Sequence, residues 1–298
     1  MLMKLRRTLG AVLLGGCLPL TALAGEGVFG WIYTLDLQPK GAAEIEQKID
    51  YTTGHATGSY NLWKSKTGVE YGLTNDVQIT GYLDAYSVNA KQNYHQCDEI
   101  APCTAGFGVP GSANGLNSYS KTAINGGSAE VIWRLTNPVT SPIGVGLYFE
   151  PSIGSLSESV ELRLLLQSNF LDDRLILAAN FIAETEKFKF DPAETIYESS
   201  FDIRYGASYR FAPNWFAGVE GRFHNDFEGS WYGKQIQRAN FIGPNLHYGG
   251  KDFWVTAAWL YQLGGQCWAP GDAECSNGRV WDSHGQNQFM LKVGMPLQ

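Results

Sequence analysis

The sequence predicts an all-β fold, a transmembrane antiparallel up-and-down β-barrel of about 12 strands. Three observations predict it. Short segments alternate apolar and polar residues from 43 onward, the connectors between them sort into short and long sets, and beyond the first 24 residues no apolar run approaches the length of a membrane-spanning helix.

Alternation is clearest over 198–227. Phe201, Ile203, Tyr205, Ala207, Tyr209 and Phe211 share one face, and Glu198, Asp202, Arg204 and Arg210 share the other. After Ala212-Pro213-Asn214, Trp215, Ala217, Val219 and Phe223 oppose Glu220, Arg222 and His224. Successive side chains point to opposite faces of a strand, so each segment has one greasy face and one charged face. A soluble sandwich turns the greasy face inward, whereas a membrane barrel turns it to lipid and lines its lumen with the charges. One hairpin does not choose between them.

Composition agrees with an all-β chain: 298 residues with 35 Gly, 39 aromatics (15 Tyr, 15 Phe and 9 Trp) and 17% charged residues. Residues 1–24 read as a secretory signal, with Lys4, Arg6 and Arg7 before an apolar middle and Ala22-Leu23-Ala24 as the cleavage site. Leu14-Gly15-Gly16-Cys17 loosely fits a lipoprotein site, but the apolar core continues past Cys17. Cleavage removes three basic residues and no acidic ones from 22 basic and 29 acidic, leaving a net charge of about −10. That balance argues against nucleic acid as a partner.

Segment 25–42 is ambiguous. Phe29, Trp31, Tyr33, Leu35 and Leu37 alternate as in a strand until Pro39-Lys40-Gly41 ends the run, so it is an extra strand or a lead-in resting in the periplasm or the lumen. The lead-in is favoured, which leaves 43–298 as the barrel. Twelve alternating segments follow: 43–53, 61–73, 77–88, 122–136, 143–153, 158–169, 174–186, 198–211, 215–226, 238–248, 253–263 and 286–297. The segment 238–248 fits worst, and Gly243-Pro244 suggests a bulge there.

Numbered alternately, one set of connectors is short: 74–76, 137–142, 170–173, 212–214 and 249–252. The other contains the long ones, 89–121, 187–197, 227–237 and 264–285, although 54–60 and 154–157 are short as well. Outer-membrane barrels have short periplasmic turns and longer outer loops. An even strand number places both termini in the periplasm, as insertion by the barrel assembly machinery requires. Closing a barrel in outer-membrane lipid satisfies every backbone group without a spanning helix.

Four cysteines remain after cleavage, as the local pairs Cys97 with Cys103 and Cys267 with Cys275, both in long-set loops. In an exported chain these favour two disulfides, and neither pair has the spacing of a zinc site.

Five segments carry a resemblance: FGWIYTLDLQPKG, VEYGLTNDVQ, NFLDDRLILAANF, SYRFAPNWFAGVE and GPNLHYGG. They resemble an uncharacterised proteobacterial family of outer-membrane β-barrels with a domain-of-unknown-function label, similar in outline to outer-membrane transporters assigned to aromatic-degradation pathways. The resemblance spans most of the mature chain and implies fold and location. It carries over no catalytic residues.

On the inward parity stand Glu44, Glu46, Asp50, Glu70, Asp84, Glu130, Glu150, Glu161, Glu184, Glu186, Glu198, Asp202 and Glu220, against Lys48, Lys64, Lys66, Arg134, Arg163, Arg204, Arg210, Arg222 and Lys292. This is either a charged pore wall that selects small solutes or a lumen bridged by ion pairs. Twelve strands lie between the filled barrels of about 8 and the open ones of 16–18. If the pore conducts, its acidic excess favours cations or neutral solutes. Tyr82, Asp84 and Tyr86 on one strand form the best stripe for binding a solute. Tyr51, Trp63, Phe223 and Tyr261 fall near outer strand ends and Tyr71, Phe211, Trp215, Tyr248 and Phe253 near inner ends, as boundary girdles do.

Enzyme readings find little. His224-Asn225-Asp226 offers a His beside an Asp, but no Ser sits in an elbow motif. Asp172-Asp173 lies in a short turn, where Asp bonds the turn backbone. No cofactor or metal is expected. The function expected is passage of small solutes; a closed barrel acting through its outer loops is the alternative, and an outer-membrane hydrolase comes third.

Overall fold

The computed structural model describes residues 27–93, 106–110, 118–189, 195–268, 275–281 and 284–297. The expected signal segment and the pair Cys97 and Cys103 lie outside the described residues.

Twelve antiparallel strands close into a barrel. They are β1 (Ala43–Thr53), β2 (Ser59–Gly72), β3 (Val77–Lys91), β4 (Ser118–Thr136), β5 (Gly144–Gly154), β6 (Ser157–Phe170), β7 (Leu175–Phe188), β8 (Ile196–Ala212), β9 (Trp215–Glu228), β10 (Gln235–Gly249), β11 (Trp254–Cys267) and β14 (Asn287–Leu297). Sequential strands pair as neighbours, and β1 closes on β14 with Ala43 opposite Leu297 and Ile49 opposite Leu291. A two-residue hairpin, β12 (Cys275–Ser276) with β13 (Arg279–Val280), forms a separate sheet inside the last long connection. It is too short to show alternation, and the sequence reading missed it.

The pleat decides which residues face out. Leu83, Trp133, Leu162, Leu164, Tyr205, Val219 and Leu291 are all exposed, while Glu46, Glu130, Asp202 and Glu220 on the opposite parity are buried. Greasy outside and charged inside is the reverse of a soluble protein and suits a surface that meets hydrocarbon. Aromatics line up across neighbouring strands at one end of this surface. Tyr51 stacks on Trp63 at 4.2 Å and faces Phe289, which in turn stacks on Trp259. At the other end Trp215, Tyr248 and Phe253 form a second row.

Turns at the end where β1 begins and β14 finishes are tight, and their residues suit the backbone they need. Asn214 between β8 and β9 has φ 67°, and Asp172 and Asp173 between β6 and β7 have φ 56° and 58°. Asn and Asp tolerate this left-handed region better than other residues with a Cβ.

One expectation is corrected. The pairing of β10 with β9 runs without interruption through Gly243 and Pro244. The pairing with β11 skips Gly243 and Pro244 but keeps its register there; the register shifts between Asn240 and Phe241, which pair with Gly264 and Gln262 so that Leu263 of β11 is the extra residue, and against β9 between Gln235 and Gln237. Gly243 answers a different need: a Cβ there would lie 1.6 Å from the carbonyl oxygen of Trp259 on the neighbouring strand. Pro244 sits beside it on the outward parity.

Candidate functional site

The lumen is the space a barrel encloses, and among the described residues three stretches fold into it. Residues 27–42 form no strand. They enter beside the tight turns and cross that half of the lumen, where Phe29, Ile32 and Leu35 are at most 1% exposed. Their apolar side chains pack on inward residues of the barrel wall.

A segment without strand pairing must find partners for its peptide groups elsewhere. The wall supplies them with inward side chains. Glu220 accepts the N–H groups of Gly30 and Trp31 at 2.8 and 3.0 Å. Asn180 brackets one residue, accepting from the Tyr33 N–H at 2.7 Å and donating to its carbonyl at 2.9 Å. Gln167 accepts from Leu35 N–H at 2.6 Å, and Gln78 from Gln38 N–H at 2.8 Å. Carbonyls are met in the same way: Thr256 donates to Gly27, Arg134 to Leu35, and Arg204 to Trp31. Side chains join in, with the Trp31 indole donating to Asp50 and the Tyr33 hydroxyl to Glu130. Gly30 has no room for a side chain, because a Cβ there would lie 2.6 Å from that of Ala258.

Inward apolar residues complete the seat. Val28, Phe29 and Ile32 pack on Ile176 and Ala178, Trp31 on Phe241, Ala258 and Leu260, and Leu35 and Leu37 on Ile132, Tyr148 and Leu165. At the end away from the tight turns, Phe107 and Val109 of the β3–β4 connection pack inside the barrel on Tyr60, Leu62, Tyr86, Val88 and Leu156. The β12–β13 hairpin also turns inward. Gln262 brackets the Val280 peptide group as Asn180 does that of Tyr33, accepting at 2.8 Å and donating at 2.9 Å. The Cys267–Cys275 disulfide, with its Cα atoms 5.9 Å apart, ties this hairpin to β11.

The charged wall residues fall into networks. Glu46 pairs with Lys48 and Lys292 at 2.9 and 3.5 Å, and Lys48 also donates to the hydroxyls of Tyr33 and Tyr82. Glu44 accepts from the Trp254 indole, and Glu70 is buried beside this group. Higher up, Lys66 pairs with Glu150 and Arg163 with Glu161. Asp202 holds Arg222, Arg204 and His224. Arg134 reaches Asp76 at the inner rim, and Arg210 donates to the carbonyl of Asp172. Lys64 is exposed to the interior, over the Phe107 ring at 4.2 Å, while Glu184 and Glu198 are half-buried. Asp84 is 9% exposed. Tyr82 is bonded to Lys48, and Tyr86 lies in the outer apolar cap, so neither presents an open face to a passing solute.

Groups of the inserted segments are perturbed by this setting. Burial, then the nearby Glu130, pushes the Tyr33 hydroxyl upward. Burial also raises the Asp36 carboxyl above its usual range, against hydrogen bonds from Gln167 and Thr34 and the charge of Arg134. A cavity of about 30 Å³, room for roughly one water, remains beside Tyr33, Glu46, Lys48, Glu70 and Lys292.

The model of one family, DUF6662, described as a family of unknown function, matches residues 21–297. The chain belongs to that family. No curated protein matches it significantly. Among solved structures, it is similar to the COG4313 outer membrane channel from Pseudomonas putida F1, at 10% identity and a TM-score of 0.58, covering 91% of this chain and 100% of that one. The NanC porin follows at 12% identity and 0.49, over 85% and 100%. The KdgM porin, in complex with disordered oligogalacturonate, stands at 10% and 0.45, over 86% and 99%. At such identity the first likeness shows the fold alone: this DUF6662 chain shares a barrel fold with that protein.

Sequence reasoning singled out most of the charged residues of the DUF6662 lumen but not the amides that grip the lead-in and the β12–β13 hairpin. Asn180, Gln167, Gln78 and Gln262 carry no charge and belong to no motif, and only their inward parity marks them.

Proposed function

We propose that this protein is an outer-membrane channel for small solutes whose own N-terminal segment, residues 27–38, closes the lumen and leaves it to open the path. The reading rests on one observation: the segment is held through wall side chains rather than by strand pairing. Each such hydrogen bond contributes about 1 kcal/mol net, or about 1.5–3 to a charged group, and all of them can be exchanged for water without breaking any strand pairing of the barrel.

With the segment displaced, the exposed wall carries Glu130, Glu220, Asp50 and the amides together with Lys48, Arg134 and Arg204, a lining of both signs that suits small polar solutes. Location in the outer membrane with both termini on the periplasmic side follows from the same reading, since the tight turns and both chain ends share one rim. A hydrolase finds no support in His224, because both of its ring nitrogens are engaged, one by Asp202 and one by Asp226.

Planar-bilayer recording of the refolded mature chain tests the proposal. The wild type should be closed with rare openings, and Asn180→Ala with Gln167→Ala should raise the open fraction severalfold. Silence from both would favour a permanently closed barrel that acts through its outer loops.

A further inference from the structure

Two strand positions and one loop position converge in the upper lumen without any part in holding the lead-in. His224 and Asp226 are consecutive inward residues of β9, and His284 descends from the connection just before β14. His224 Nε2 lies 2.7 Å from Asp226 Oδ2, and His284 Nε2 lies 3.5 Å from the same oxygen. The three donor atoms fall within 4.8 Å of one another, and all three residues are buried. The two imidazoles meet edge to face at 4.3 Å.

We propose that His224, Asp226 and His284 bind one divalent transition-metal cation of the Zn²⁺ class, which clamps the segment before β14 to the wall of β9. Two imidazoles and one carboxylate form a donor set for Zn²⁺, Ni²⁺ or Cu²⁺, whereas Ca²⁺ takes 6–8 oxygens and Mg²⁺ an octahedron of them. A tetrahedral ion with bonds near 2.0–2.1 Å needs donors about 3.3 Å apart, so the His284 contact already fits and the His224 contact must open by about 0.6 Å. That opening accompanies replacement of the proton shared by His224 and Asp226, which leaves to bulk solvent as the cation takes its place.

The surroundings have the form of a metal-site support. Asp202 engages Nδ1 of His224, the carboxylate–histidine arrangement that turns Nε2 toward a metal and makes it more basic. Asp202 is itself fixed by Arg222 at 2.7 Å and Arg204 at 3.3 Å. Gln237 donates to Asp226 Oδ2 at 2.8 Å and steadies the carboxylate. Arg222 Nη2 also lies 2.7 Å from His224 Nδ1, on the side away from the proposed ion. A bare cluster of this kind can instead keep His224 as an imidazolium between two carboxylates, and that arrangement needs no metal.

Titration separates the two. The full mature chain, refolded in detergent and stripped with a chelator, is titrated with Zn²⁺ against a chromophoric competitor and with Co²⁺ by visible absorption. The proposal expects one tight equivalent per chain and a low-coordinate Co²⁺ spectrum. His284→Ala, outside the barrel strands, should weaken binding by at least about 100-fold, and the positioning variant Asp202→Asn by about 10–100-fold. His55→Ala should bind as the wild type does, and heat-modifiable migration on gels checks that each variant is folded. No tight equivalent in the folded wild type, or undiminished binding by folded His284→Ala, overturns the proposal.

Discussion

Glu220 of β9 accepts hydrogen bonds from two consecutive peptide groups of the inserted segment, those of Gly30 and Trp31. Removing that carboxylate leaves both N–H groups without acceptors in a buried place. Glu220→Ala should therefore weaken seating by about 3 kcal/mol, roughly a hundredfold, and Glu220→Gln by about 1 kcal/mol. Val28→Cys supplies the probe, because Val28 is buried and a thiol there reacts with a maleimide only when the segment leaves. Labelling rates followed by peptide mass spectrometry should rise in that order.

The outward face makes a separate prediction. Leu164 stands near the middle of β6, exposed, between Leu147 and Phe181 on the adjacent strands. Leu164→Arg should cost about 2–4 kcal/mol in reversible unfolding from vesicles, as a charge at the bilayer midplane does. A lumen substitution such as Lys64→Ala should change the same measurement by less than about 0.5 kcal/mol.

The Cys267–Cys275 bridge closes a short loop, for which chain entropy gives about 2.5 kcal/mol of local stabilisation. Reduction, or Cys275→Ser, should leave the twelve-stranded barrel folded and heat-modifiable on gels. Protease cleavage should then appear within 268–281 at concentrations that spare the oxidised protein.

Asp36 couples seating to pH. Its raised carboxyl binds a proton more tightly when the segment is docked than when it is released, so docking is favoured at low pH. That contribution is lost as pH rises above the ordinary value of 3.8 and through the raised one. Maleimide labelling at Val28→Cys, corrected for thiolate content, should increase over that interval. Asp36→Asn should flatten this part of the profile and slow labelling at neutral pH.

The twelve barrel strands were legible in the sequence because hydrocarbon outside and water or charge inside impose a period of two on every strand. The lead-in was less so: Phe29, Trp31, Tyr33, Leu35 and Leu37 alternate like a strand, yet Ile32 and Thr34 on the other parity are buried as well, as in a segment surrounded on all sides. A trace of its seat was visible in β7. Over 175–183 both parities are apolar apart from Asn180, and Ile176 and Ala178 pack on inserted chain where other strands face charge. The pairing of His224 with His284 was hidden by their 60-residue separation, which only the closed topology spans. Leu263 as the bulge was equally hidden, since a register shift belongs to a pair of strands and not to either alone.

Amide hydrogen exchange in a bilayer tests the central claim most directly. Gly30, Trp31, Tyr33, Leu35 and Gln38 donate their N–H groups to wall side chains and to no strand. A seated segment predicts slow exchange at all five, released together by Glu220→Ala while strand amides stay protected. Exchange at the rate of an unfolded peptide in the wild-type protein would contradict it.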